Sequence, residues 1–347
     1  MRVADFDFEL PADLIAQAPA PERGASRLMV VDRQAATFRA SVVSALPDLL
    51  RPGDVLVVND TKVFPARLLG HRVPSGGAVE CLLLGRLDDE RWDALVHPGQ
   101  KLKPGAEVRF TREGGTLDGE IVGRASFGRR TIKLRAPDGR DVDEVIDAIG
   151  HVPLPPYIKR PDERADRDRY QTVFARARGS VAAPTAGLHF TETILDALER
   201  RGVERVAVTL HVGYGTFEPV RVDEVEAHRV GAERFTITEP VAARINAALD
   251  EGRRVIAVGT TTTRALESAA SASGRVESGG GTTELFIYPG FRFQVVSGLW
   301  TNFHVPKSSL LMLVCAFGGR DLVLAAYRKA VDERFRFYSY GDAMVLL

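Results

Sequence analysis

Cysteine is nearly missing from this chain. Only Cys81 and Cys315 occur among 347 residues, each inside an apolar run, Cys81 to Leu84 and Leu310 to Phe317. That scarcity excludes a disulfide-stapled scaffold and a cysteine-rich metal module. Both thiols are expected to be small buried hydrophobes in a reducing compartment. Charge of one sign is missing as well, since 46 basic residues face 46 acidic ones. A uniformly basic nucleic-acid binder is therefore excluded, while a local basic patch is not. No segment approaches the roughly 20 apolar residues that span a bilayer, and Met1 to Phe6 offers no apolar signal core. The expected location is the cytoplasm, with no membrane contact. Histidines 71, 97, 151, 189, 211, 228 and 304 show no close pairing with one another or with cysteine, so no metal is expected.

What is present is a change of texture along the chain. Between residues 63 and 155 lie short β-rich runs: Ala66 to Val73, Val79 to Leu84, Trp92 to Val96, Glu107 to Thr111, Leu117 to Val122 and Arg130 to Leu134. Glycines and turn pairs such as Asp138-Gly139 separate them, and one helical segment, Asp143 to Ile149, follows. Close spacing of six strands predicts a small antiparallel barrel. After residue 180 the rhythm alternates: helix 192–201, strand 203–212, helix 240–251, strand 254–258, helix 264–272. Together with the apolar run Asp54 to Val58, that alternation predicts a largely parallel sheet covered by helices. The expected fold class is α/β. A three-layer α/β/α domain, residues 1–62 and 156–347, is interrupted by an inserted small antiparallel β-barrel domain, residues 63–155. Ser271 to Thr283, rich in glycine and serine, is expected to be a flexible loop.

Two stretches carry a histidine beside glycine and hydroxyl residues where an element begins or ends: Ala183 to Thr191, with His189, and Leu210 to Pro219, with His211. Histidine titrates near neutral pH and glycine lets a ligand approach the backbone. The pair is therefore a candidate reaction site, against the alternative of core histidines bonded to carbonyls. The strand before His211 puts Val206, Val208, Leu210 and Val212 on one face and Ala207, Thr209 and His211 on the other. Val255 to Gly259, then Thr260 to Thr263, is a strand, a turn and a hydroxyl-rich helix start. Such a start suits a carboxylate or phosphate, or is plain threonine capping. It lacks a P-loop lysine and spaced dinucleotide glycines.

Other segments leave two readings open. Asn59, Asp60, Thr61 and Lys62 end a strand, either at the rim of a ligand crevice or as an Asx turn between domains. Thr301 to Ser309 offers Asn302 and His304, while Trp300 and Phe303 fit a core, and Ser308 or Ser309 can cap the apolar helix that follows. Lys159 to Arg178 carries seven basic and four acidic residues, and Arg334 to Tyr340 interleaves cations with aromatics. Both suit contact with structured RNA, or a solvated face.

Taken together, these segments resemble the S-adenosylmethionine:tRNA ribosyltransferase-isomerase family of queuosine biosynthesis. The matching stretches run from end to end: Phe6 to Pro11, Arg23 to Leu28, Val58 to Lys62 with Pro65 to Arg67, Gly150 to Ile158, and Tyr170 to Phe174. They continue through Ala183 to Thr191, Leu210 to Pro219, His228 to Glu233, Gly259 to Arg264, Thr301 to Ser309 and Phe337 to Met344. The resemblance implies a monomer with an α/β domain and an inserted barrel. It implies S-adenosylmethionine as a ribosyl donor and a tRNA partner carrying 7-aminomethyl-7-deazaguanine at the wobble position. The product would be epoxyqueuosine-tRNA, with adenine and methionine released.

That chemistry requires acid–base groups where a proton leaves C5′ beside the sulfonium, where adenine departs, and where the aminomethyl nitrogen attacks. The catalytic candidates are His189 and His211, with Asp60, Glu218 and Glu233 as carboxylate alternatives. Candidates for substrate binding are Thr185, Gly187, Gly213, Tyr214, Gly215, Phe217, Thr260, Thr261, Thr262, Arg264, Asn302 and His304. Tyr214 or Phe217 would face the sulfonium, and the threonine-rich helix start would hold the methionine carboxylate. Lys62, Arg67, Lys159, Arg167 and Arg176 are the candidates for tRNA contact. One crevice is expected to gather both imidazoles. The rival readings are an S-adenosylmethionine-dependent RNA methyltransferase, for which no glycine-rich loop is present, and a non-catalytic RNA-binding module.

Overall fold

The structure is a computed structural model and describes residues 1–125, 128–217 and 219–347, without the side chains of Thr216 and Phe217. The chain opens with the hairpin β1 (Arg27–Asp32) and β2 (Thr37–Val42), the short helix α1 (Leu46–Leu49) and the fully buried strand β3 (Val55–Asn59). β4 (Thr61–Val63) then leads into β5 (Arg67–Val73), β6 (Ala78–Arg86), β7 (Arg91–His97), β8 (Glu107–Arg112), β9 (Gly115–Arg124) and β10 (Arg129–Arg135). These last six close into a barrel in the order β10-β7-β6-β5-β8-β9, every pairing antiparallel. Helix α2 (Val142–Ile149) is capped by Asp141, whose carboxylate accepts from the backbone of Asp143 and Glu144. It turns Val145, Ile146 and Ile149 into a core that contains Cys81, Phe110, Leu117 and Ile132.

The chain returns through α3 (Asp166–Arg169) and β11 (Ala177–Ser180), which pairs in parallel with β4. It then runs α4 (Glu192–Arg200), β12 (Glu204–Leu210), β13 (Glu233–Ile237), α5 (Glu239–Asp250), β14 (Val255–Val258), α6 (Thr260–Ser268) and β15 (Gly279–Thr283). β16 (Gly298–Asn302), α7 (Ser309–Gly318), α8 (Arg320–Asp332) and β17 (Ala343–Leu346) complete it. Nine strands form one sheet in the order β15-β13-β12-β3-β14-β16-β17-β1-β2. Leu56, Val58, Ile256 and Trp300 face α1 and α4 on one side. Val57, Val206, Ala257 and Leu299 face α5 to α8 on the other. The architecture is thus three-layer α/β/α beside a closed barrel.

Three details differ from the pattern expected of the sequence. The sheet is parallel only over β12-β3-β14-β16 and β17-β1, with antiparallel pairs at both edges and between β16 and β17. The segment expected as a loop contains β15, because glycine backbone pairs with β13 without needing a side chain. Gly281 lies under Phe235, where a Cβ would come within 2.9 Å of the ring. Finally, α6 begins at Thr260, four residues before the expected start.

Candidate active site

The parallel block β12-β3-β14-β16 ends at Leu210, Asn59, Val258 and Asn302, all at one edge of the sheet. Ligands of open α/β sheets bind at that edge. Here the turn from β14 into α6 uses Gly259 at φ 93 and ψ 155, a conformation essentially reserved for glycine. The helix therefore starts directly off the strand, and no side chain caps it. Thr262 Oγ donates to the Val258 carbonyl at 2.7 Å and Thr263 Oγ to the Gly259 carbonyl at 3.1 Å, so two of the four hydroxyls are spent on backbone. Thr260 and Thr261 face a cleft of about 590 Å³.

The far walls come from Ala182 to Ala186, from Thr301, Asn302 and His304, and from Tyr157, Tyr338 and Ser339. Tyr157 stacks on Tyr338 with centroids 3.8 Å apart and shares a hydrogen bond with Ser339 Oγ. Burial pushes both phenols up, Tyr338 to about 12. The space suits a nucleoside, flanked by rings on one side and by uncapped helical N–H groups on the other. Among the described residues lining it there is no charged side chain.

His189 sits behind this cleft, 4% exposed, with Trp300 edge-on at 6.0 Å. Its Nε2 is 3.0 Å from Asn302 Nδ2. Burial first, then the Arg336 and Arg23 charges, lower its pKa to about 3, so the ring is neutral near pH 7. His304 is also pushed to about 3 by burial. Its Nε2 is 2.9 Å from Thr301 Oγ1, and the His304 backbone N–H donates to the Tyr327 hydroxyl.

His211 lies at the end of β12 and remains half-buried. Its Nδ1 is 2.9 Å from Thr61 Oγ1, and a Cβ on Gly179 would come within 2.7 Å of the ring. Burial lowers its pKa, Arg234 adds to that, and Asp60 opposes it. Asp60 is buried, accepts from Thr209 Oγ1 at 2.6 Å and pairs with Arg176 at 2.8 Å. Asn59 fixes the same strand end, accepting from Leu210 N at 3.0 Å and donating to the Leu210 carbonyl at 2.9 Å.

The family model described as "Queuosine biosynthesis protein" matches residues 3–346. The chain belongs to the queuosine biosynthesis protein family. Its sequence is similar to the S-adenosylmethionine:tRNA ribosyltransferase-isomerase of Halothermothrix orenii, 49% identical with both chains covered 100%. The enzyme of the same name from Symbiobacterium thermophilum is 50% identical, again with both chains covered 100%. A solved structure of an S-adenosylmethionine tRNA ribosyltransferase from Thermotoga maritima is 37% identical. It superposes with a TM-score of 0.56, covering 99% of this chain and 100% of that one.

Within this family member, the residues singled out in the sequence fall into several groups. Thr185, Thr260, Thr261, Asn302 and His304 line the cleft together. The two histidines do not share one: His189 borders a separate recess with Arg23, Arg169 and Tyr340, and His211 lines none of the described clefts. The reason is strand alternation, since Val212, next to His211, takes the place facing the cleft. Gly187 packs against Phe174 and Thr172, where a Cβ would come within 2.8 Å of each. Glu233 is buried, accepts from Gly213 N at 3.0 Å and pairs with Arg264, whose Nε donates to the Leu285 carbonyl. That pair holds the backbone beside Gly213. Tyr214 borders a second cleft against the barrel, with Arg67, Glu80 and Pro153, and Gly215 is exposed. Glu218 and the Phe217 side chain lie outside the described residues.

Lys62, Lys159 and Arg176 are exposed, whereas Arg67 pairs with Glu80. Arg167 donates to the Asp147 and Gly150 carbonyls at the end of α2. The stretch Arg334 to Tyr340 is not an RNA-stacking surface along its length. Phe335 and Phe337 are fully buried, and the Tyr340 hydroxyl donates to Asp166. Its contribution to the cleft is Tyr338 and Ser339, which, like Tyr157, lie in stretches named above but are not among the site candidates there. Tyr338 adopts φ 70, a local departure that no periodicity announces. Among the described residues, no group of three or more His, Cys, Asp or Glu is placed to hold a metal ion, and no single helix is long and apolar enough to cross a membrane.

Proposed function

We infer that this protein transfers and isomerises the ribosyl moiety of S-adenosylmethionine onto 7-aminomethyl-7-deazaguanine at the wobble position of tRNA, giving epoxyqueuosine-tRNA and releasing adenine and methionine. The single observation that carries this reading is an end-to-end match, at about half identity, to enzymes bearing that activity in their name. The cleft supports it chemically. Uncapped N–H groups at Thr260 and Thr261 receive the methionine carboxylate, and the Tyr157–Tyr338 stack offers π faces to a nucleoside or a sulfonium.

Of the two histidines we keep His211, and not His189, as the proton-transfer candidate; it stands outside the cleft, next to the wall residue Val212, and would act on a substrate atom beyond the seat of the methionine end. His211 is half-buried, burial disfavours its charged form, and Thr61 Oγ1 holds its Nδ1. His189 is shut away and takes up a proton only near pH 3. Asp60 and Glu233 act by positioning, each being held in a pair with arginine. Lys62, Lys159 and Arg176 form the tRNA-facing set. We further take residues 63–155 as an inserted domain, and the enzyme as a cytoplasmic monomer that needs no metal. The buried free thiols of Cys81 and Cys315 fit a reducing compartment.

The test is product analysis after incubation with S-adenosylmethionine and tRNA bearing the aminomethyl base. Adenine plus methionine is the expected pair. S-adenosylhomocysteine would instead mark a methyltransferase, and no turnover a binding module. A folded H211Q variant is expected to lose about 10²- to 10⁴-fold in adenine release, the usual share of general acid–base catalysis. Near-wild-type release would remove His211 from the proton path.

A further inference from the structure

The cleft presents a problem of charge. The methionine end of S-adenosylmethionine carries a carboxylate and an ammonium on one carbon, so their two seats must be adjacent. The α6 amino terminus provides the first. No described residue lining the cleft carries a carboxylate for the second. The ammonium must therefore be met by neutral acceptors.

Two of the neutral acceptors lining the cleft are engaged with neighbouring side chains. Thr301 Oγ1 is bonded to His304, and Ser339 Oγ to Tyr157. Asn302 Oδ1 is different: it is buried and has no hydrogen-bond partner, on a residue only 2% exposed that lines the cleft. A buried carbonyl oxygen left unbonded carries the full penalty of its lost hydration, so a ligand donor there removes a standing cost. The position is also right. Gly259 N donates to the Trp300 carbonyl at 2.7 Å, which ties the root of α6 to β16 two residues before Asn302.

Asn302 cannot turn its oxygen away. Its Nδ2 lies 3.0 Å from His189 Nε2 and donates to the Tyr338 carbonyl at 3.3 Å. An amide nitrogen has no lone pair to accept with, so Nε2 is the acceptor and the ring proton sits on Nδ1. Reversing the amide would set Oδ1 against the Tyr338 carbonyl, acceptor against acceptor. Two bonds on one nitrogen thus fix the direction of the other atom.

We propose that Asn302 Oδ1, locked by His189, accepts a hydrogen bond from the α-ammonium group of S-adenosylmethionine while the start of α6 holds its carboxylate. His189 is then a positioning residue. The proposal rests on the reading that this cleft binds S-adenosylmethionine, and the experiment separates the two.

Calorimetric titrations compare S-adenosylmethionine with the analogue in which hydrogen replaces the α-ammonium. Wild-type protein is expected to bind the analogue roughly 10- to 100-fold more weakly, the worth of a hydrogen bond to a charged group. N302A is expected to bind both equally, at the weaker level, and H189L to behave likewise. H189Q, whose amide oxygen can accept from Asn302 Nδ2, restores most of the discrimination and leaves the shape of the kcat pH profile unchanged. Equal affinity of the wild-type protein for both compounds overturns the proposal, and so does full discrimination by N302A. The wild-type comparison stands even where a variant fails to fold. T261W, which fills the cleft, distinguishes the two failures. Undiminished binding of S-adenosylmethionine to T261W sinks the cleft assignment itself, whereas abolished binding with N302A still discriminating sinks only the role of Asn302.

Discussion

A histidine buried without a carboxylate partner takes up protons more readily in the unfolded chain than in the native one. His189 and His304 are both in this position, their ordinary pKa of 6.5 lowered by burial to about 3. Below about pH 6.5 the unfolded chain therefore binds more protons, and stability falls as pH drops toward 3. Each ring contributes a slope of roughly 1.4 kcal/mol per pH unit. Urea unfolding of wild type and H304Q at pH 7 and pH 5 reads this directly: the variant is expected to lose one ring's worth of slope. Equal slopes would mean that the native ring titrates as freely as the unfolded one. The sequence singles out His189 beside glycine but not the depth of its burial. The partner that defines His189 is Asn302, 113 positions away, and local spacing carries no trace of such a contact. The aromatic–basic tail misled for a related reason. Phe335 and Phe337 alternate with arginines as an RNA-stacking strip would, yet their rings close the core beside Phe303.

At the scale of the element, the start of α6 shows where propensity gives way to tertiary structure. The sequence pattern puts a turn and a hydroxyl-rich helix start at Thr260 to Thr263, with the helix proper from residue 264. The helix instead begins at Thr260, because Thr262 and Thr263 return their hydroxyls to the strand and turn carbonyls. Helices 192–201 and 240–251, whose apolar residues recur at helical spacing, were legible to within a residue at each end. A glycine with φ 93 is what permits the sharp entry. Gly259→Ala is expected to cost about 1–3 kcal/mol of stability, the usual price of forcing an L residue into that region. The nearest atom to the new Cβ would be the Ala186 Cβ at 3.5 Å, so conformation and not collision is the cause. Affinity for S-adenosylmethionine should fall in the same variant as the N–H groups of the first turn shift. Wild-type stability in urea together with wild-type affinity would show that the turn tolerates a side chain.

For the whole molecule, the barrel was the most legible part, since alternation and turn glycines fix short antiparallel strands locally. Its attachment to the sheet was not legible. Arg178 bridges Asp147 at 2.6 Å and Asp143 at 3.5 Å on α2, lying over Phe64, while Arg167 binds the carbonyls at the end of the same helix. Two of the seven basic residues in Lys159 to Arg178 therefore join the two parts of the fold, and the outward members are the ones that can meet phosphate. Lys62 lies opposite Arg178 in the β4–β11 pairing, and the Arg176 side chain, 82% exposed, stands just before that strand. Neutralising each true phosphate contact lowers the slope of log affinity against log salt by roughly 0.7–0.9. K62Q combined with R176Q is thus expected to flatten the slope for tRNA by about 1.4–1.8, and R167Q to leave it unchanged while lowering stability. Filter binding across a salt series, with unfolding curves for each variant, separates the two classes of arginine. A slope lost in R167Q but kept in the double variant would move the tRNA face from the β4–β11 edge to the end of α2.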